Sequence, residues 1–126
     1  MPKNIIYLLL FTLLNSCEKT IPDCSNFKRG TFKYTAAKFA EYVVTRNDSV
    51  QTERSSSTGI KMEARIRWTS NCEYEMIYKK TNYLQYQTLI GHKVSVKITK
   101  VKNNTMYYDA ESDGKVISSS MTKINP

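Results

Sequence analysis

The least interchangeable chemistry in this chain of 126 residues belongs to three cysteines, a single histidine and nine tyrosines. Cys17, Cys24 and Cys72 are an odd set, which in an exported protein leaves one thiol to account for. Cys24, Cys72 and a distant His92 do not make up a zinc site. His92 follows Gly91 at the start of a strand-like segment, with no carboxylate or nucleophile near it in sequence, so a surface or turn position is expected. The runs Ser55-Ser56-Ser57 and Ser118-Ser119-Ser120 are not nucleophile elbows, since neither stands in Gly-x-Ser-x-Gly. No phosphate loop, His-Glu-x-x-His helix or calcium loop is present. The expectation is a non-enzymatic protein without metal or cofactor. Tyr34, Tyr42, Trp68, Tyr74, Tyr78 and Tyr108 are expected to share an interior, and buried phenols need hydrogen-bond partners. Two readings stay open: a partly polar cavity for a small apolar ligand, or a solid core with the hydroxyls at a rim.

The elements that position these residues begin with a leader. Lys3 precedes the apolar run Ile5–Leu14, which matches a signal-peptide core and falls short of the ~20 residues of a membrane-spanning helix. Leu14-Asn15-Ser16-Cys17 resembles the lipobox of bacterial lipoproteins, with Asn15 departing from the usual small residue. The resemblance implies a diacylglyceryl group on the Cys17 thiol, cleavage by signal peptidase II before Cys17, and acylation of the new amino group. Two or three acyl chains anchor a protein stably where one does so marginally. The alternative is an ordinary secretory signal cut nearby, with Cys17 incidental. Lipidation removes Cys17 from the count and leaves Cys24 and Cys72, which an oxidising envelope would hold as a disulfide. The organisation expected is a signal helix over 1–16, a lipidated tether over 17–23 and one β domain over 24–126. The protein would sit in the cell envelope, held to the inner or outer membrane by lipid on Cys17 and facing the periplasm or exterior.

Beyond the tether the pattern is all-β. Ile60, Met62, Ala64, Ile66 and Trp68 alternate with Lys61, Glu63, Arg65 and Arg67, which marks an antiparallel strand with one wet face. Tyr74, Met76 and Tyr78 repeat the alternation, as do Val94, Val96 and Ile98, and Val101 falls out of phase as at a bulge. Asn47-Asp48, Asn103-Asn104 and Ser112-Asp113-Gly114 read as turns, and Arg46 is taken with the first of them. Residues 81–92 do not alternate. Tyr83, Tyr86, Gln87 and Ile90 suit one face of a short helix ended by Gly91, or equally the anchors of a loop. The count is about eight strands in an antiparallel meander. Its simplest closure is a small barrel that resembles a lipocalin in architecture, with a two-sheet sandwich as the alternative.

A second resemblance lies in Cys24-x-x-Phe27-x-x-Gly30-x-Phe32, Arg46-Asn47-Asp48 and Trp68-x-x-x-Cys72-x-Tyr74. Together these look like a group of small bacterial lipoproteins of no established function, some of which carry an automatic label of DNA topoisomerase IV. That activity does not fit. The chain is too short for a cleavage-religation domain, has no nucleotide-binding loop, and carries a signal that takes it away from DNA.

The formal net charge is +8, of which Lys3 leaves with the leader. A basic surface suits anionic partners, although Lys61, Arg65 and Arg67 read first as a solvated sheet face and second as an anion-binding strip with Lys79, Lys97 or Lys100. Nucleic acid is not expected as a partner. The function expected is a monomeric, membrane-anchored module that binds a small apolar ligand or an envelope component. The alternative is a protein-interaction or inhibitor module acting on another envelope protein. A cavity favours the first and a filled core with an exposed patch the second.

Overall fold

The computed structural model describes residues 21–125. The signal helix, Cys17 and the start of the tether lie outside the described residues. Eight strands, β1 (Gly30–Tyr34), β2 (Tyr42–Arg46), β3 (Val50–Ser55), β4 (Lys61–Ser70), β5 (Glu73–Thr81), β6 (Lys93–Lys102), β7 (Thr105–Ser112) and β8 (Lys115–Asn125), follow one another in meander order. All neighbours are antiparallel, and β8 pairs back on β1 to close a barrel. Closure removes most of the strand edges that an open meander would leave exposed.

The alternation read in β4 fixes its register: Met62, Ala64 and Ile66 are buried while Arg65 and Arg67 face water. The phase break at Val101 is a register shift between Ile98 and Lys100 against β7. The tight hairpin between β7 and β8 needs two residues at positive φ, and Asp113 (51°) and Gly114 (76°) supply them. Between β2 and β3 the Asn47 side-chain oxygen accepts the backbone N–H of Ser49 at 3.0 Å and of Val50 at 2.8 Å, so the turn is held by an Asx motif. Residues 84–89 form a 3-10 helix, Leu84–Leu89, and Gly91 follows at φ 87°.

Strand direction alternates, so the connections fall at two ends. The turns after β2, β4 and β6 lie at one end, here the base, together with the start of β1 and the end of β8. Segments 35–41, 56–60, 82–92 and 113–114 lie at the other, the rim. The base is stoppered by the 3-10 turn Ser25–Phe27, whose Phe27 is buried against Phe32. Cys24 bonds to Cys72 in the β4–β5 turn, with their Cα atoms 5.3 Å apart. The chain leading to the tether is therefore pinned to the base.

Candidate functional site

β3 carries no apolar residue on its inner face. Gln51, Glu53 and Ser55 alternate inward at 1%, 7% and 0% exposure, and Arg46 at the end of β2 joins them at 2%. Arg46 is thus a strand residue in the barrel and not part of the turn, because it continues the inward phase of Val44. Each nitrogen of its guanidinium donates to a partner. Nη1 donates to the Phe27 carbonyl at 2.8 Å. Nε and Nη2 donate to Gln51 Oε1 at 3.0 and 2.7 Å, and Nη2 also donates to the Tyr74 hydroxyl at 3.0 Å. The cation lies 4.6 Å from the Tyr74 ring centroid and 5.1 Å from that of Phe32, within range of both ring quadrupoles.

The network continues upward. Gln51 Nε2 donates to Glu53 Oε1 at 3.0 Å, and the Tyr34 hydroxyl donates to the same oxygen at 2.6 Å. Arg46 and Glu53 are thus joined through one amide and not by direct contact. Burial pushes the Glu53 carboxyl above the usual carboxylate range, against the pull of Tyr34, Gln51 and Arg46. Burial likewise raises the Tyr34 and Tyr78 phenols well above their ordinary value, and Glu53 adds to both. Tyr108 is pushed up to about 12 by burial. These four groups share one neighbourhood in the upper interior.

The six aromatic residues expected to share an interior divide into three places. Trp68 and Tyr74 pack near the base with ring centroids 4.7 Å apart and planes tilted by 48°. Trp68 Nε1 is, among the described residues, the buried side-chain polar atom without a partner. Tyr34, Tyr78 and Tyr108 surround Glu53. Tyr42 stands apart from the buried cluster and faces Tyr86 of the rim segment, and desolvation, with Tyr86 beside it, raises its phenol to about 12.

The remaining interior is filled by Phe32, Val44, Ala64, Ile66, Met76, Val96, Ile98, Met106 and Met121. Two hollows lie outside this interior. One, of about 440 Å³, sits at the rim among Gly91, His92, Lys93, Ser95, Glu111, Ser112 and Asp113. His92 Nδ1 there is 3.3 Å from Asp113 Oδ2. The other lies on the outer face of β2–β4 among Val43, Thr45, Thr52, Arg54 and Lys61. Among the described residues no three His, Cys, Asp or Glu side chains form a metal-holding group. On the outer face Arg67 pairs with Glu75 at 2.7 Å.

Most of the exposed large apolar side chains stand at the rim, with Ile21 and Ile124 at the base and Tyr107 on the outer face of β7. Phe39, Leu84 and Leu89 stand on the connecting segments of the rim, and Val116 and Ile117 on the first turn of β8 after the hairpin. The sequence reading missed Arg46, Gln51 and Glu53 as interior residues. For Arg46 the signal is its phase, two residues beyond the inward Val44; β3 offers none of its own, and Gln51 and Glu53 are placed inward by pairing opposite Arg46 and Val44. No family model, curated protein or solved structure matches the chain.

Proposed function

We propose that the protein is a lipid-anchored envelope protein, without catalytic activity, that binds another envelope component through the rim of its barrel. One observation carries this reading. Among the described residues, five of the eight exposed large apolar side chains, Phe39, Leu84, Leu89, Val116 and Ile117, stand at the end opposite the Cys24–Cys72 bridge, against Ile21 and Ile124 near it, while the interior is occupied by side chains. Apolar groups held out in water at one end of a small domain mark a contact surface. A leader ending in Cys17, with the base pinned through Cys24, would turn that surface away from the membrane.

Radiolabelled palmitate tests the anchor: label in the wild type and none in Cys17→Ser supports it, and equal labelling or none in either overturns it. A photo-crosslinking side chain at Leu84 or Val116 tests the rim. A discrete adduct from these positions and none from Lys102 at the base is expected; the same adducts from both ends overturn the reading.

A second reading has its own support. Tyr34, Tyr78 and Tyr108 converge on Glu53, whose Oε2 has no hydrogen-bond partner among the described residues. A small, largely apolar ligand with one donor group would have to displace side chains beneath the rim to reach that oxygen. Tyrosine fluorescence that shifts on adding such a ligand, and fails to shift in Glu53→Gln, would favour it.

A further inference from the structure

We propose that the upper part of β8, Lys115–Ser119, is an open sheet edge that takes up an extended segment of a partner protein carrying apolar side chains. This deepens the rim-binding reading and rests on it. β1 accompanies β8 only between Asn125 and Met121, and the last bond across that seam runs from the Thr35 N–H to the Ser120 carbonyl at 3.1 Å. Above it β8 pairs with β7 alone, through Ser118–Lys115. Backbone groups alternate sides along a strand. The Ser120 carbonyl faces the β1 side, so the N–H and C=O of Ser118 and Val116 face it too, with no partner among the described residues. The chain that would have covered them turns away into the 3-10 turn Ala37–Phe39, where the Phe39 ring packs 5.9 Å from that of Tyr34.

Open edges are ordinarily protected by a proline, a bulge or central charges. Here the β7–β8 pairing runs without a register shift, and the residues at the middle of the edge are Val116 and Ile117, 62% and 67% exposed on opposite faces. An added strand would gain four backbone hydrogen bonds and an apolar neighbour on each face. Lys115 begins the edge strand and is in no ion pair among the described residues, while Glu111 stands opposite Val116. The acids of β7 lie one strand behind, and Asp109 accepts from Ser118 Oγ at 2.5 Å. The charges beside the edge are mixed, so the exposed Val116 and Ile117 select an extended apolar segment.

A second copy of the chain is the other occupant to weigh. Antiparallel pairing about Ile117 would satisfy all four groups on each copy. It would also set the barrels head to tail, with tethers leaving from opposite ends, which one membrane surface does not accommodate.

The test uses the full chain against a display library of random eight-residue peptides. Recovered peptides should be rich in β-branched and other apolar residues and slow hydrogen exchange at the Val116 and Ser118 amides. Ser118→Pro, which removes an edge donor, should weaken binding at least about tenfold. Val116→Glu leaves the fold intact at an exposed site and should weaken it as well, while Ser118→Ala, which keeps the backbone, should not. Absence of enrichment, binding indifferent to both Ser118→Pro and Val116→Glu, or sedimentation of the full chain as a β8-paired dimer overturns the proposal. Rim crosslinks that persist in Ser118→Pro would overturn the edge and leave the rim reading standing; loss of crosslinks everywhere would remove both.

Discussion

Arg46→Met is the sharpest probe of the barrel interior. Methionine keeps much of the length and removes the cation, so the Phe27 carbonyl, Gln51 Oε1 and the Tyr74 hydroxyl each lose a donor in a site closed to water. A buried acceptor left without a partner costs roughly 1–3 kcal/mol. Three such groups set an upper range that relaxation of the Ser25–Phe27 stopper will reduce. Removing one member of a buried charged network costs about 3–5 kcal/mol, and that is the magnitude expected. For a domain of this size it corresponds to a fall in Tm of about 12–20 °C. Urea denaturation of the oxidised chain, followed by Trp68 fluorescence, measures it. Arg46→Met combined with Glu53→Gln removes both charges and should recover part of the loss, with a coupling of about 0.5–3 kcal/mol. A loss under about 1 kcal/mol for the single variant, or strict additivity in the pair, would show that the guanidinium does not organise the interior.

Three further outcomes can be measured on the same chain. Glu53 has its folded pKa raised above the unfolded 4.5, so the folded state holds the proton more tightly and stability falls as pH rises from 4.5 through the folded value. Glu53→Gln should remove that decline and be the more stable form at neutral pH; a wild-type profile with no decline there refutes the sign. Reducing the Cys24–Cys72 bridge, which spans a sequence separation of 48, should cost about 4 kcal/mol in the chain-entropy model. Equal urea midpoints for the oxidised and reduced chains would contradict this. Gly30 has φ 128°, and a Cβ there would meet the Asn125 carbonyl at 2.8 Å and Lys123 Cε at 2.7 Å, so Gly30→Ala should destabilise by about 1–3 kcal/mol. An unchanged Tm would remove the close approach from the account.

Much of the fold was legible because most inner faces are apolar. Met62–Trp68, Tyr74–Tyr78 and Val94–Ile98 state their phase in the sequence, and Val101 states where it slips. β3 does not, since Gln51, Glu53 and Ser55 inside and Thr52 and Arg54 outside give no contrast of hydropathy. Only closure of the barrel makes one of those polar faces the inner one. Arg46 was hidden for the same reason: next to Asn47-Asp48 a basic residue reads as part of a turn, and nothing local reveals that Gln51 and Tyr74 wait for it across the barrel. The aromatic set was found as residues but not as places, because strand phase reports the side a residue faces and not its height along the barrel. Tyr42 has the inward phase of Val44 and still ends at the rim beside Tyr86.

The seam between β1 and β8 has a kinetic consequence. Every other strand pair joins consecutive segments and can zip from its own turn within microseconds. The seam alone must bring together residues about ninety positions apart, and β1 offers only five residues to hold them. Shutting it is expected to be the late, slow event of folding, with the Ser25–Phe27 stopper seating afterwards. Changes at Gly30 or Lys123 would then act mainly on how fast the native state is left, while changes in the β4–β5 hairpin would govern how fast it is reached.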